Sequence, residues 1–204
     1  MLDKQKYKTM VRHKVITPAT GYSVVQQWTE PDAPGADDVL SATLLTTAVQ
    51  TVSTGITNPD FPRALSVTGG DGNVTGNVVI TGKNIRGETV TDTIALNGTN
   101  TVDGVVAFLS VTSIQLPVYD TAGTETVSVG ITDKLGLQSI PWSTTVESEH
   151  SGNVADTGGA VLTRDADEIE KCLFDPTSAC DASTDKMIHY LSEETDADVS
   201  AYTE

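Results

Sequence analysis

From Gly55 to Ile131 the chain is a succession of short Thr/Val/Ile segments broken by Gly and Asn, a punctuation that leaves no room for a long helix through the middle of the protein. Leu65 and Val67 alternate with polar neighbours, and Gly69-Gly70-Asp71-Gly72-Asn73 then supplies a loop whose glycines accept positive φ. Val78 and Ile80 form the next period-two pair, and Asn84-Ile85-Arg86-Gly87 reads as a hairpin loop before Val90, Ile94 and Leu96. Asp92 is the one polar residue on that inward face, so the strand either bends there or lies at an edge. Asn97-Gly98 predicts a type I′ turn, with positive φ at both central residues. A strand through Val106, Phe108 and Thr112 to Leu116 is long enough to bend or change sheets, and Thr121-Ala122-Gly123 turns the chain into Val127, Val129 and Ile131. Turns recur roughly every 8 to 15 residues, the spacing of an all-β, antiparallel sandwich or jelly roll and not of βαβ units.

The flanks are less regular. Residues 1–37 carry Pro18, Pro31 and Pro34 and read as an extended N-terminal arm with one strand at Tyr22–Trp28; Asp38 to Val52 fits neither period, and its Thr and Val tilt it to strand. Two prolines in Asn58-Pro59-Asp60-Phe61-Pro62-Arg63 stiffen the entry into the β region, and Arg63 is placed to pair with Asp60 or to cap carbonyls. The core module is expected over 38–142, with Asp133 to Trp142 leaving the alternating pattern and 143–159 a polar, Gly-containing loop. An Asp-rich start suits a helix over Asp165–Phe174, whereas Ala160–Thr163 and Lys186–Leu191 read as strands around a turn region. The balance favours a late antiparallel pair over 160–192 that returns to the sandwich, followed by an acidic, disordered tail at 193–204.

Charge divides the chain. The formal net charge is −16, yet residues 1 to 30 hold five of the twelve Lys and Arg (Lys4, Lys6, Lys8, Arg12, Lys14) against Asp3 and Glu30, which leaves 7 basic and 26 acidic residues beyond position 30. An anionic body disfavours nucleic acid and confines any anionic partner to the arm, unless the arm is simply a frayed terminus. No apolar stretch follows the first basic residues to suggest a secretory signal, and apolar runs of about five residues fall far short of the roughly 20 a spanning helix needs. Synthesis in the cytoplasm is therefore expected, and there Cys172 and Cys180, eight apart, are expected as free thiols, although a turn between them would permit a bridge.

Residues that carry chemistry are scattered. His13, His150 and His189 lie in different segments with no zinc-ligand spacing, and there is neither a Gly-x-Ser-x-Gly elbow nor a phosphate-binding Gly loop opening a helix. Asp71-Gly72-Asn73 and Asp165-Ala166-Asp167-Glu168 offer oxygens for calcium but do not match an EF-hand loop, and solvated loop acids are the plainer reading. Paired carboxylates for glycoside hydrolysis are permitted by their number, but three Phe, five Tyr and two Trp supply few platforms for a sugar. Trp28 and Trp142 are expected as core or interface anchors.

Four segments together resemble a known module: Gly55-Ile56-Thr57-Asn58-Pro59-Asp60-Phe61-Pro62-Arg63, Gly76-Asn77-Val78-Val79-Ile80-Thr81-Gly82, Gly87 to Thr99 with its Leu96-Asn97-Gly98-Thr99, and Val127-Ser128-Val129-Gly130. They are similar to a β-module of tailed-bacteriophage virion structural proteins, many of them small head-associated or capsid decoration proteins, over about residues 38 to 140. The resemblance implies a non-enzymatic protein without cofactor or metal that binds the major capsid protein on the capsid exterior, as a homotrimer, with no nucleic acid or membrane partner. Lys4, Lys6, Lys8, Arg12 and Lys14 are then the candidate partner-binding residues, reaching along acidic shell or a neighbouring copy. A neck, collar or tail adaptor is the alternative station, and a carbohydrate-binding fibre module the alternative class.

Overall fold

The computed structural model of the chain describes the backbone of residues 11–14 and, in full, residues 22–119 and 123–193. It is all-β, and its strand pairings among these residues are antiparallel. Two compact units emerge, residues 34–132 and residues 1–33 with 133–204, so the boundaries differ from the expected 38–142 module.

In the first unit the strands are β3 (Leu40–Leu44), β4 (Gln50–Val52), β5 (Arg63–Gly69), β6 (Asn77–Lys83), β7 (Thr89–Ala95), β8 (Val102–Phe108) and β9 (Ser110–Leu116), with β10 (Thr126–Gly136) contributing its residues up to Thr132. The segment before Val52 is therefore two short strands. β4, β9, β6 and β7 form a four-stranded sheet in that order; β5 lies between β8 and β10, and β3 pairs the far side of β10. The stretch expected as one long strand is divided at Leu109, where the chain changes sheets between β8 and β9. The inward faces of both sheets enclose a continuous aliphatic cluster that includes Leu65, Val67, Val78, Ile80, Val106, Phe108, Ile114, Leu116, Val127 and Val129. Period-two alternation puts these side chains on one face, and their removal from water is the main favourable term.

Two features show how polar residues finish this unit. Asp92 is buried on β7, an edge strand that lies against β8 without a backbone ladder. β8 bulges over 104–106, as the register passes from Ala64↔Ala107 to Ser66↔Asp103, and the Asp92 Oδ2 accepts from the displaced N–H groups of Val105 (2.9 Å) and Val106 (3.2 Å). A side chain thus replaces the missing ladder, since buried amides left without acceptors are costly. Gly104 is needed there because a Cβ would sit 2.4 Å from the same oxygen. The second feature is a correction: the turn after β7 centres on Gly98-Thr99, closed by Asn100 N–H to the Asn97 carbonyl at 3.1 Å, with positive φ (57°) at Gly98 and none at Asn97 or Thr99. That is the type II′ pattern, in which glycine takes the first central position.

The other unit contains β1 (Val11–Lys14), β2 (Tyr22–Trp28), β11 (Ser148–Ser151), β12 (Val154–Asp156) and β15 (Lys186–Ser192) in a five-stranded sheet ordered β1-β2-β15-β11-β12. β13 (Val161–Thr163) and β14 (Leu173–Asp175) pair with each other, and β14 pairs Leu135 and Gly136 at the end of β10. Trp28 on β2 stacks on Phe174 of β14, centroids 5.4 Å apart, and joins the two sheets of this unit. Several expectations change here. The 1–37 segment gives up a central strand, β2, which pairs with β15 along its whole length. Residues 143–159, expected as loop, hold the hairpin β11–β12, and β10 runs on to Gly136 through residues thought to leave the pattern. Residues 161–163 and 186–192 are strands as read, yet they pair with other partners and not with each other. Asp165–Phe174 is not a helix: a single 3-10 turn at Ile169–Lys171 precedes β14. The expected acidic tail lies outside the described residues beyond Glu193.

Candidate functional site

Arg63 and Asp60 show how the stiff connector is seated. Pro59 and Pro62 hold the chain extended, Phe61 and Arg63 are buried, and the Arg63 guanidinium donates to Asp60 Oδ1 at 3.0 Å, while Asn58 Oδ1 accepts the Val111 N–H at 2.9 Å. These groups are consumed in anchoring the entry to β5, the structural role expected of them.

The acidic turns are likewise occupied. Asp71 Oδ1 accepts the Asn73 N–H, and Asp165 Oδ1 accepts the N–H groups of Asp167 and Glu168, so the stretches considered for calcium spend a carboxylate oxygen on their own backbone. Those backbone bonds hold Asp165 below the usual carboxylate range. Asp181 goes further: its oxygens accept from the Ser183 N–H, the Thr184 hydroxyl and the Thr184 N–H, which lowers its pKa to about 2. Among the described residues no group of three His, Cys, Asp or Glu is placed to hold a metal ion. Glu149, buried, accepts the Thr177 N–H at 2.7 Å and its hydroxyl at 2.6 Å, and Asp133 Oδ1 accepts the Cys180 N–H at 2.7 Å. Cys172 and Cys180 are both buried and are not bridged by a disulfide.

His150 and His189 lie in different segments without zinc-ligand spacing, yet β11 and β15 bring them to one sheet face. Ser148 opposes His189 and His150 opposes Met187, which makes the two imidazoles diagonal neighbours, with His189 Nε2 sharing a hydrogen bond with Ser23. Register between segments far apart in sequence produces this meeting, and nothing in the local pattern announces it. On the other face of the same sheet Lys186 is buried, its Nζ donating to Ser151 Oγ at 2.9 Å.

Of the five basic residues proposed for partner binding, Lys4, Lys6 and Lys8 lie outside the described residues, whereas Arg12 and Lys14 belong to the edge strand β1. The exposed apolar residues fall in different places. Leu44, Val49 and Val118 are about half exposed and gather at one end of the 34–132 unit. The loop between β3 and β4 is gripped there, with Gln50 Nε2 on the Leu44 carbonyl at 2.8 Å and Tyr119 N–H on the Thr46 carbonyl at 3.1 Å. Single exposed Val or Leu residues are ordinary, whereas here three come from segments that meet at the same loops. Leu44 closes β3 while Val49 and Val118 lie in loops, and no periodic pattern in the sequence links the three. Trp28 is core, as the aromatic reading allowed, and Trp142 remains 49% exposed.

No family model, curated protein or solved structure matches the chain. Among the described residues no helix is long and apolar enough to cross a membrane.

Proposed function

We propose that this protein is a virion structural protein of a tailed bacteriophage that binds the outside of the capsid and stabilises it, acting by contact and not by catalysis. The observation that carries the reading is the coincidence of the phage-like segments with one compact unit, residues 34–132, whose exposed apolar end presents Leu44, Val49 and Val118. A rigid β-unit with such an end is suited to clamp neighbouring capsid subunits, and a clamp that engages only the assembled shell stabilises it by mass action. The acidic turns, spent on their own backbones, fit a scaffold role better than a hydrolytic cleft. The basic residues at the amino terminus offer a second contact for acidic shell surface, and trimers on the shell remain part of the proposal by analogy.

The test is partition. Purified protein mixed with undecorated capsids and with tail-only particles sediments with the capsids if the reading is right; sedimentation with tails alone would move it to the neck or tail.

A further inference from the structure

Among the described residues no further strand pairs either end of the five-stranded sheet, and the two ends differ in character. At one end β1 carries Val11-Arg12-His13-Lys14, downstream of Lys4, Lys6 and Lys8. At the other end β12 carries Val154-Ala155-Asp156, pairs only β11 among the described strands, and exposes Val154 at 71%, the most exposed large apolar side chain among the described residues. The two-residue turn Gly152-Asn153 makes Ser151↔Val154 the closing hydrogen-bonded pair of the hairpin, so the N–H and C=O of Ala155 point away from β11 toward the open side. An apolar edge with outward backbone groups is a template for another strand.

We propose that β1 of one copy pairs with β12 of a second copy, so that copies join head to tail through a continuing sheet. Charge selects this pairing. Two β1 strands side by side would bring two basic Val-Arg-His-Lys segments together, whereas β12 ends in Asp156, which accepts from the Ser178 hydroxyl, within the acidic half of the chain. Five alternating strands leave β1 and β12 running the same way, so a copy added in the same orientation forms a parallel pair. The interface is heterologous: it closes into a ring if the rotation per copy completes a full turn and grows into a fibre if it does not. With three residues in β12 the contact is weak and reversible. The proposal concerns the free protein and does not depend on capsid binding.

Sedimentation equilibrium of the full-length chain tests it, against the monomer mass of 21.4 kDa. Wild type is expected to gain mass with concentration and to lose that gain in high salt. Deleting residues 1–14 removes β1, and Val154→Lys places a like charge where the incoming β1 arrives; each variant alone is expected to stay monomeric, with association weakened at least roughly tenfold. Ala155→Pro, which removes the outward donor while sparing the ladder to β11, gives a second block of the same edge. Mixed together, the deletion variant and Val154→Lys each retain one good edge and should stop at a one-to-one heterodimer. Circular dichroism checks that each variant keeps its strand content. The proposal is overturned by a wild type that is monomeric at every concentration, by a deletion variant that associates as wild type does, by normal association of both β12 variants, or by a mixture that stays monomeric.

Discussion

Residues 34–132 are one continuous stretch of chain that buries a continuous aliphatic cluster, whereas the unit of 1–33 and 133–204 is assembled from two stretches and closes its sheet between partners as distant as Ser23 and His189, 166 residues apart. Both units bury polar side chains, among them Arg63, Asn84 and Asp92 in the first and Gln26, Glu149 and Lys186 in the second, which also contains the Trp28–Phe174 stack. The first unit has all its residues once Thr132 has been made and can form while the chain is still being synthesised, whereas β2 must wait for β15. The continuous unit draws its strands from one stretch of chain, while the two flanking stretches depend on each other.

The comparison breaks most visibly under large core truncations. Trp28→Ala should cost about 4 kcal/mol and lower the melting of the second unit alone, and Phe108→Ala should do the same to the first. Calorimetry that shows one transition shifted equally by both variants would mean a single cooperative block. Next in size, Asp92→Ala leaves the Val105 and Val106 amides without their acceptor and should destabilise the first unit by about 3 kcal/mol, read by urea titration; a loss below about 0.5 kcal/mol would show that β7 and β8 do not need the carboxylate.

Smaller effects concern single polar groups of the second unit. Lys186 is 1% exposed and has Ser151 Oγ as its hydrogen-bond partner, with no ion pair among the described residues. Lys186→Met should therefore stabilise the second unit by about 1 kcal/mol, and a destabilised variant would show that the ammonium is well compensated. The smallest effect concerns pH. Asp181 is held at about 2, below its ordinary 3.8, first by the Ser183 N–H and then by the Thr184 hydroxyl. A depressed carboxyl contributes stability that is complete above about pH 4 and lost as pH falls through about 2. The side-chain carboxyl resonance of Asp181 should titrate near 2 and move up in Thr184→Val; a wild-type midpoint at the ordinary value would contradict the turn geometry.

Legibility in the sequence followed the same division. Period-two alternation placed Leu65, Val67, Val78, Ile80 and Val127 on the core face, and Asn84 to Gly87 closes the β6–β7 hairpin as read. Asp92 looked anomalous because its partners belong to a bulge on a different strand, invisible to a periodic pattern. In the second unit Tyr22–Trp28 and Lys186–Leu191 read as strands, but nothing local says that they pair. The hairpin in 143–159 was hidden because Ser148–Ser151 and Val154–Asp156 are short and polar, held by register with β15 and not by their own hydrophobicity. The apolar end at Leu44, Val49 and Val118 depends on loops meeting in space, and the meeting of His150 with His189 on pairing across the sheet.

The capsid reading itself is tested most directly by melting undecorated shells in the presence of increasing protein. Binding to the shell alone should raise its disruption temperature in a saturable way, with about 2.7 kcal/mol of stabilisation once free protein reaches a hundred times the dissociation constant. A shell that melts at the same temperature at every protein concentration would contradict the account.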